Sequence, residues 1–380
     1  MHLSRSPLSL FFYRNGCKCN TNPLAHFNRT SLNLFLNRLA YKSGPPSPIK
    51  RSPLSLLFNR NRCSPSHFEI FEIDDPRLVA PCKTTMKFRT ATHFPRRRYT
   101  EVKASCNGSF VVLNYEQPDA EIIVVCNPLR GQHLVLPKPP KKSFDGPSSL
   151  VQHFGLGHTP STRQYKVLRL SPTRYSDRLG GHIYTIGIDD EWRCIGEIGR
   201  INAANYVSHL VFLNGALHWV TGTKNSPLIY CFDIEKEQFV SFPLPFLEKK
   251  ESRNISFGVV DNMMYIGTKS LSLDNPTWRF WVLKDYRDYG SWSLEWIIEV
   301  QALGPKFAGA AEPLKMLKDG SLLIMFTEYI VHEMDTETAL ALFNPHTELL
   351  KEIKYGSKIL LACWALHVLI YQASSPQWML

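Results

Sequence analysis

Three features of the sequence predict an all-β chain, folded as a β-propeller of about six blades behind a basic N-terminal arm. Short apolar runs bounded by Gly, Asn, Asp and Pro fill the chain from Phe68 onward. Turn signals of the Asn-Gly type recur among them. The recurrence has a period of roughly 50 residues, the length of one four-stranded unit. There is enough material for a large core, since 380 residues with 44% hydrophobic content exceed a typical domain of ~100 to 200 residues. Gly 21 and Pro 26 are too few for a collagen-like or low-complexity chain. The longest apolar run, Ile359 to Tyr371, is interrupted by His367 and falls short of the ~20 residues a membrane-spanning helix needs.

The arm comes first, spanning residues 1–68, with 69–380 assigned to the propeller. A formal net charge of +11 suggests a polyanion partner until it is located along the chain. Arg5, Arg14, Lys18, Arg29, Arg38, Lys42, Lys50, Arg51, Arg60 and Arg62 lie in the arm, which has no acid. The remainder is balanced and offers no uniform field to nucleic acid. The arm contains a near-duplication, RSPLSLFFYRNGC from Arg5 and RSPLSLLFNRNRC from Arg51. Between the copies, Leu32, Phe35, Leu36 and Leu39 share one helical face behind Ser31 as a candidate N-cap. The arm is expected to be poorly ordered or partly helical. Its composition also suits an organelle transit peptide. Nine scattered cysteines are unlike a disulfide scaffold and favour a reducing compartment, in the cytoplasm or nucleus.

The blades follow in order. Their first halves carry the turns: SCNGSFVVL at Ser105, FLNGALHWV at Phe212, VDNMMYIG at Val260 and LKDGSLLIM at Leu317. Asn-Gly and Asp-Gly are hairpin signals because type I′ turns need positive φ. Their second halves read as strand, Asn- or Asp-containing turn, strand: IIVVCNPLRGQHLVLP, LIYCFDIEKEQFVSFPLP, FWVLKDYRDYGSWSLEWI and ALALFNPHTELLKEI. FGLGH, QYKVLRL, HIYTIG and EWRCIGEI supply a further unit between the first two. Units of this size are kelch-like blades. The C-terminal run ILLACWALHVLIY with Phe68 to Ile73 is expected to close the ring and remove exposed edges. A pair of two-sheet sandwiches is the competing architecture.

Catalytic and metal-binding patterns are missing. G-x-S-x-G, H-E-x-x-H, G-x-x-x-x-G-K-[ST] and C-x-x-C do not occur. FGLGH lacks the third glycine of a phosphate loop, and Cys17, Cys19, Cys63 and His26 lack zinc-finger spacing. A kelch-type oxidase would need His, Tyr and Cys clustered on inner strands, and the thirteen His show no such pattern. No enzyme, cofactor or metal is expected. Arg96-Arg97-Arg98 and KPPKK from Lys138 read as solvated loops, the second also as an extended link between blades. The eight tryptophans are expected to fill the space between blades, with an exposed subset available to anchor a partner.

These pieces together resemble a known family. Cys106-Asn107-Gly108, Asn127-Pro128 with Gly131, Leu136-Pro137, FGLGH, Trp192 in WRCIGEI, Asn214-Gly215 with Trp219, Asp233 in CFDIEKEQF, and Trp281, Trp292 and Trp296 follow in the order of the plant F-box-associated domain. The likeness spans about Glu101 to Gln372. It implies a protein-binding propeller that serves as the substrate-recognition subunit of an SCF (cullin-RING) ubiquitin ligase. In that family an N-terminal F-box binds a Skp-type adaptor. No F-box-like Leu-Pro…Arg…Val-Cys-Lys-x-Trp series occurs before Ser105, and the first Leu-Pro is Leu136-Pro137. The expected partners are therefore a protein substrate and, where an F-box is present or supplied, the Skp-type adaptor and cullin. A stand-alone binding propeller and an organelle-imported one are the alternatives.

Overall fold

The computed structural model describes residues 54–60, 67–73, 88–89, 100–115, 121–127, 132–140, 152–159, 161–162, 164–172, 179–198, 208–223, 226–244, 255–270, 276–300, 309–330, 335–353 and 369–371. The described strands are all antiparallel and form six four-stranded sheets; no helix occurs among the described residues.

Five sheets are blades built from consecutive hairpins. Blade 1 holds β4 (Thr100–Cys106), β5 (Ser109–Tyr115), β6 (Glu121–Asn127) and β7 (Gln132–Val135). Blade 2 holds β8 (His153–Thr159), β9 (Gln164–Pro172), β10 (Leu179–Thr185) and β11 (Arg193–Ile198). Blade 3 holds β12 (Val211–Leu213), β13 (Ala216–Thr223), β14 (Ser226–Asp233) and β15 (Gln238–Pro243). Blade 4 holds β16 (Ile255–Val260), β17 (Met263–Lys269), β18 (Thr277–Leu283) and β19 (Trp292–Glu299). Blade 5 holds β20 (Ala310–Met316), β21 (Leu322–Ile330), β22 (Asp335–Asn344) and β23 (Leu349–Ile353).

The sixth sheet is composite. Its order is β24 (Leu369–Tyr371), β1 (Leu54–Arg60), β2 (His67–Ile73) and β3 (Phe88–Arg89). Leu57 pairs with Leu369 and with Ile70, so both ends of the chain meet in one sheet. Where about six blades were expected, the structure has five consecutive blades, with the sixth sheet stitched from strands near the termini. The boundary drawn at residue 68 shifts, because the second copy of the duplicated segment supplies β1. Its Leu54, Leu56 and Phe58 share one side of the strand, and Ser55, Leu57 and Asn59 the other. The helical reading near Leu32 and the basic cluster at Arg96 lie outside the described residues.

Each blade presents an apolar face to both neighbours, and the core is a series of inter-blade layers. Val111, Leu113, Ile123, Val125, Phe154, Leu156, Val167 and Trp192 fill the layer between blades 1 and 2. Leu168, Leu170, Trp219 and Phe232 lie between blades 2 and 3, and Ile229, Cys231, Phe242, Phe257, Met264 and Ile266 between blades 3 and 4. Trp278, Phe280, Trp296, Ile324 and Phe326 lie between blades 4 and 5. Strand alternation does this sorting: in β18, Trp278, Phe280 and Val282 face blade 5, while Trp281 and Leu283 face blade 3.

Turn chemistry fixes the registers. Asn107-Gly108, Asn214-Gly215 and Asp261-Asn262 are two-residue hairpin loops with both residues at positive φ, 48° and 72°, 50° and 80°, 48° and 62°. The LKDGS loop is longer. Gly320 alone takes positive φ, 80°, and Leu317 and Ser321 close it. In the second halves, Asp233 and Asn344 open equivalent four-residue loops. Each Oδ1 accepts two backbone N–H groups, and Glu237 and Glu348 occupy the left-handed position at φ 54° and 56°. All of these turns lie on one face of the ring, because the first and third strands of every blade run toward it.

FGLGH has a packing role. A Cβ at Gly155 would lie 2.6 Å from Leu217 Cδ1, and one at Gly157 would lie 2.5 Å from Ile234 Cδ1. The two glycines thus let blade 3 pack directly on β8. Gly157→Val is expected to cost about 2 kcal/mol through overpacking. Gly215→Val, at a site with open space but φ 80°, should cost ~1 kcal/mol or more through backbone strain. Urea unfolding of both variants tests this, and an unchanged midpoint for Gly157→Val would remove the close-packing account of FGLGH.

Candidate functional site

The residues singled out from sequence divide into turns, inter-blade anchors and one partly exposed group. Asn107, Gly108, Asn214, Gly215 and Asp233 make the hairpin turns just described. Asn127 is buried and opens the β6–β7 turn; Pro128 and Gly131 in that turn lie outside the described residues. Cys106 and Leu136 are buried in the blade 1 to blade 2 layer. Trp192 packs into the same layer, stacks obliquely on Tyr184 and donates from Nε1 to the Pro137 carbonyl at 2.7 Å, so it ties blade 2 to blade 1. Trp219 and Trp296 are buried between blades. Trp281 and Trp292 remain partly exposed.

Polar contacts between blades recur on the turn face, and sequence reasoning did not find them. Arg193 in blade 2 sends Nη1 and Nη2 to the two oxygens of Glu237 in blade 3, at 2.9 and 2.7 Å, and its Nε reaches Asp189. Lys166 adds a 2.7 Å contact to Glu237 and donates to the Ile234 carbonyl. Hydrogen bonding from Arg193, then from Lys166, holds the Glu237 carboxyl down to about 2. Asp261 of blade 4 accepts from the Lys315 ammonium and the Met316 N–H of blade 5. These partners lie 44 to 71 residues apart in the chain, beyond the reach of local pattern.

His218, Cys231 and Tyr286 meet at the junction of blades 3 and 4. His218 and Cys231 are cross-strand partners on one face of blade 3, and Tyr286 from the β18–β19 loop puts its hydroxyl 2.8 Å from His218 Nε2. Burial lowers His218 to about 4 and raises the Cys231 thiol to about 11. The His218–Tyr286 contact ties blade 3 to blade 4. Among the described residues no set of three or more His, Cys, Asp or Glu gathers to hold a metal ion.

Tyr289, from the same loop, stacks on Phe242 of blade 3 at 3.9 Å. Val240 of β15 shares the His218–Cys231 face of blade 3, nearer the turn than Phe242. On blade 4, Trp281, Trp292, Leu294 and Ile297 share the face toward blade 3 with buried Ile266 and Leu283. Val240, Leu294 and Ile297 are exposed.

The inner strands carry a second polar group. His153 heads β8, His209 precedes β12 and Lys103 sits at the irregularity of β4. Desolvation, then repulsion from Lys103, lowers both histidines, His153 to about 4. His209 is exposed, so the lowering is weaker there than at half-buried His153. Glu312 on β20 is pushed up to about 7 by burial.

Four-stranded blades around an axis, joined at both chain ends, define a β-propeller. The F-box associated beta propeller domain family matches residues 62–377, and the chain belongs to it. No curated protein matches the sequence. Among solved structures the chain is similar to TolB from Acinetobacter baumannii, at 11% identity and TM-score 0.46 over 88% of this chain and 71% of that one. It is also similar to the fungal Aleuria aurantia lectin, described as a six-bladed β-propeller, at 9% identity and TM-score 0.37 over 78% and 93%.

Histidine burial makes stability depend on pH. His153 and His218 stay neutral when folded and charge near 6.5 when unfolded, so their contribution is complete above pH 6.5 and is lost as pH falls toward 4. Glu312 opposes them, because its raised folded value favours the native state as pH falls from 7 toward 4.5. Two groups against one leave a net loss. The urea midpoint is expected to fall between pH 7 and 5, less steeply in His153→Gln and more steeply in Glu312→Gln. Below pH 4.5 the Glu237 contribution, present above that pH, is lost as its carboxyl protonates.

Proposed function

We propose that this chain is a non-enzymatic protein-binding module that holds a protein substrate for an SCF-type cullin-RING ubiquitin ligase in the cytoplasm or nucleus. Membership of the F-box associated beta propeller family carries this reading. The architecture supports it. Blades locked by inter-blade layers and ion pairs give a rigid frame, on which binding positions vary without disturbing the core. Recruitment of the ligase follows from an F-box in the same polypeptide or one supplied by a partner, which binds the Skp-type adaptor. Buried His218, Cys106 and Cys231 favour packing over chemistry at those positions.

The test is co-purification of the tagged full-length chain from its native cells at physiological salt, with mass spectrometry of bound proteins. The Skp-type adaptor and cullin are expected at near-stoichiometric levels, together with proteins stabilised when the chain is depleted. Recovery of other proteins without adaptor or cullin would replace the ligase reading with a stand-alone binding propeller. Tagged protein confined to an organelle, shortened by the arm, would move the function there.

A further inference from the structure

We infer that the chain carries a spare for β1. The upstream copy of the duplicated segment, residues 8–14, takes the place of residues 54–60 between β24 and β2, so the two ends of the chain join in either of two ways.

The place is defined on both sides. On one edge Ser55, Leu56 and Leu57 pair with Tyr371, Ile370 and Leu369 of β24. On the other edge all of Leu54–Arg60 pairs with Ile73 to His67 of β2. An occupant must therefore be an extended segment of seven residues that runs antiparallel to both neighbours. Its register is set by the side chains it presents, because a slip of one residue moves every side chain to the other face.

The chain supplies such a segment twice. The stretches 5–17 and 51–63 are identical at ten of thirteen positions. Within the paired part, Leu8, Ser9, Leu10, Phe12 and Arg14 repeat Leu54, Ser55, Leu56, Phe58 and Arg60. The side of the strand formed by Leu54, Leu56 and Phe58 is thus kept in full, and with it the positions across from Ile73, Phe71 and Ile370. Both differences fall on the other side: Phe11 for Leu57, across from Ile70 and Leu369, and Tyr13 for Asn59, across from Phe68. Phe and Tyr suit a strand better than Leu and Asn, and Tyr across from Phe68 makes an aromatic cross-strand pair. Pro7 stands just before the pairing residues, as Pro53 does, where a missing N–H interrupts no ladder.

Connection length decides which copy is seated. Six residues, 61–66, join β1 to β2, whereas fifty-two, 15–66, join the upstream copy to it. The probability of loop closure falls as the 3/2 power of length, which favours residues 54–60 by about 25-fold. The upstream copy is the minor occupant of the intact chain and becomes the main one when residues 54–60 cannot pair.

Amide exchange of residues 67–73 in the full-length chain reads the exchange of copies, since β2 is the partner of either. Leu10→Asp alone should leave it unchanged. Leu56→Asp should speed it by no more than about 25-fold, the loop-closure difference, while residues 8–14 gain the protection that 54–60 lose. Leu10→Asp with Leu56→Asp should speed it by far more than the product of the two single effects. Equal exchange in Leu56→Asp and the double variant, or no gain of protection at residues 8–14, would overturn the inference. Should the double variant fail to fold, a photo-crosslinking residue at Glu72, across from Ser55, decides in Leu56→Asp alone. Linkage to residues 8–10 of the same chain supports the spare strand. Linkage to 54–56 only, or between isotopically distinct chains, overturns it.

Discussion

Every blade has two apolar faces, and a sheet with two apolar faces is stable only when covered on both. A row of such sheets always leaves its first and last face bare unless the row closes into a ring. The other features answer to this demand. The composite sheet of β24, β1, β2 and β3 is its most direct consequence, because one sheet made from both ends turns a row into a circle. FGLGH is another. Inner strands converge toward the axis, and at β8 only glycine leaves space for Leu217 and Ile234 of the following blade.

Apolar layers alone do not set how one blade is rotated against the next, since hydrophobic burial is non-directional. The directional contacts supply that. The Arg193–Glu237 fork has one geometry that satisfies four polar atoms, and Lys166 can reach Glu237 only with blade 3 seated against β9. Glu237 holds a left-handed backbone position that disfavours ordinary side chains, which places its carboxylate at the junction. Trp192 to Pro137, His218 to Tyr286 and Asp261 to Met316 perform the same task at the other described junctions. Such contacts are worth little singly at a solvent-exposed surface. Their value lies in registering the ring, and hence in fixing any surface that spans two blades.

The hairpin turns were legible because they are local. Asn-Gly and Asp-Asn announce positive φ within two residues, and strand alternation carries that register outward. The family resemblance was legible for the same reason, as it rests on turn pieces in order. The extent of the arm is not legible. RSPLSLLF looks like its upstream copy, yet it forms a strand whose partner, Leu369–Tyr371, lies about 310 residues along the chain. The inter-blade ion pairs and the His218–Tyr286 contact were hidden by the same sequence distance. The partly exposed tryptophans are half-legible. Alternation separates Trp281 from Trp278, but Trp292 separates from Trp296 only once the register shift in β18–β19 is known.

Aromatic residues fill the outer part of the layers between blades. Blades diverge with distance from the axis, so outer strands need bulky side chains to stay in contact. Between blades 2 and 3, Phe239 on β15 fills the gap, 4.6 Å from Phe232 and 6.2 Å from Trp219. Between blades 4 and 5, Trp296 of β19 packs on Phe280. On the face of β15 toward blade 4, Phe242 does this, stacked on Tyr289 from the β18–β19 loop. Leu294 and Ile297, on the face of blade 4 toward blade 3, stay exposed where a solvated surface would carry charge. The core does not need them there, and water does not favour them.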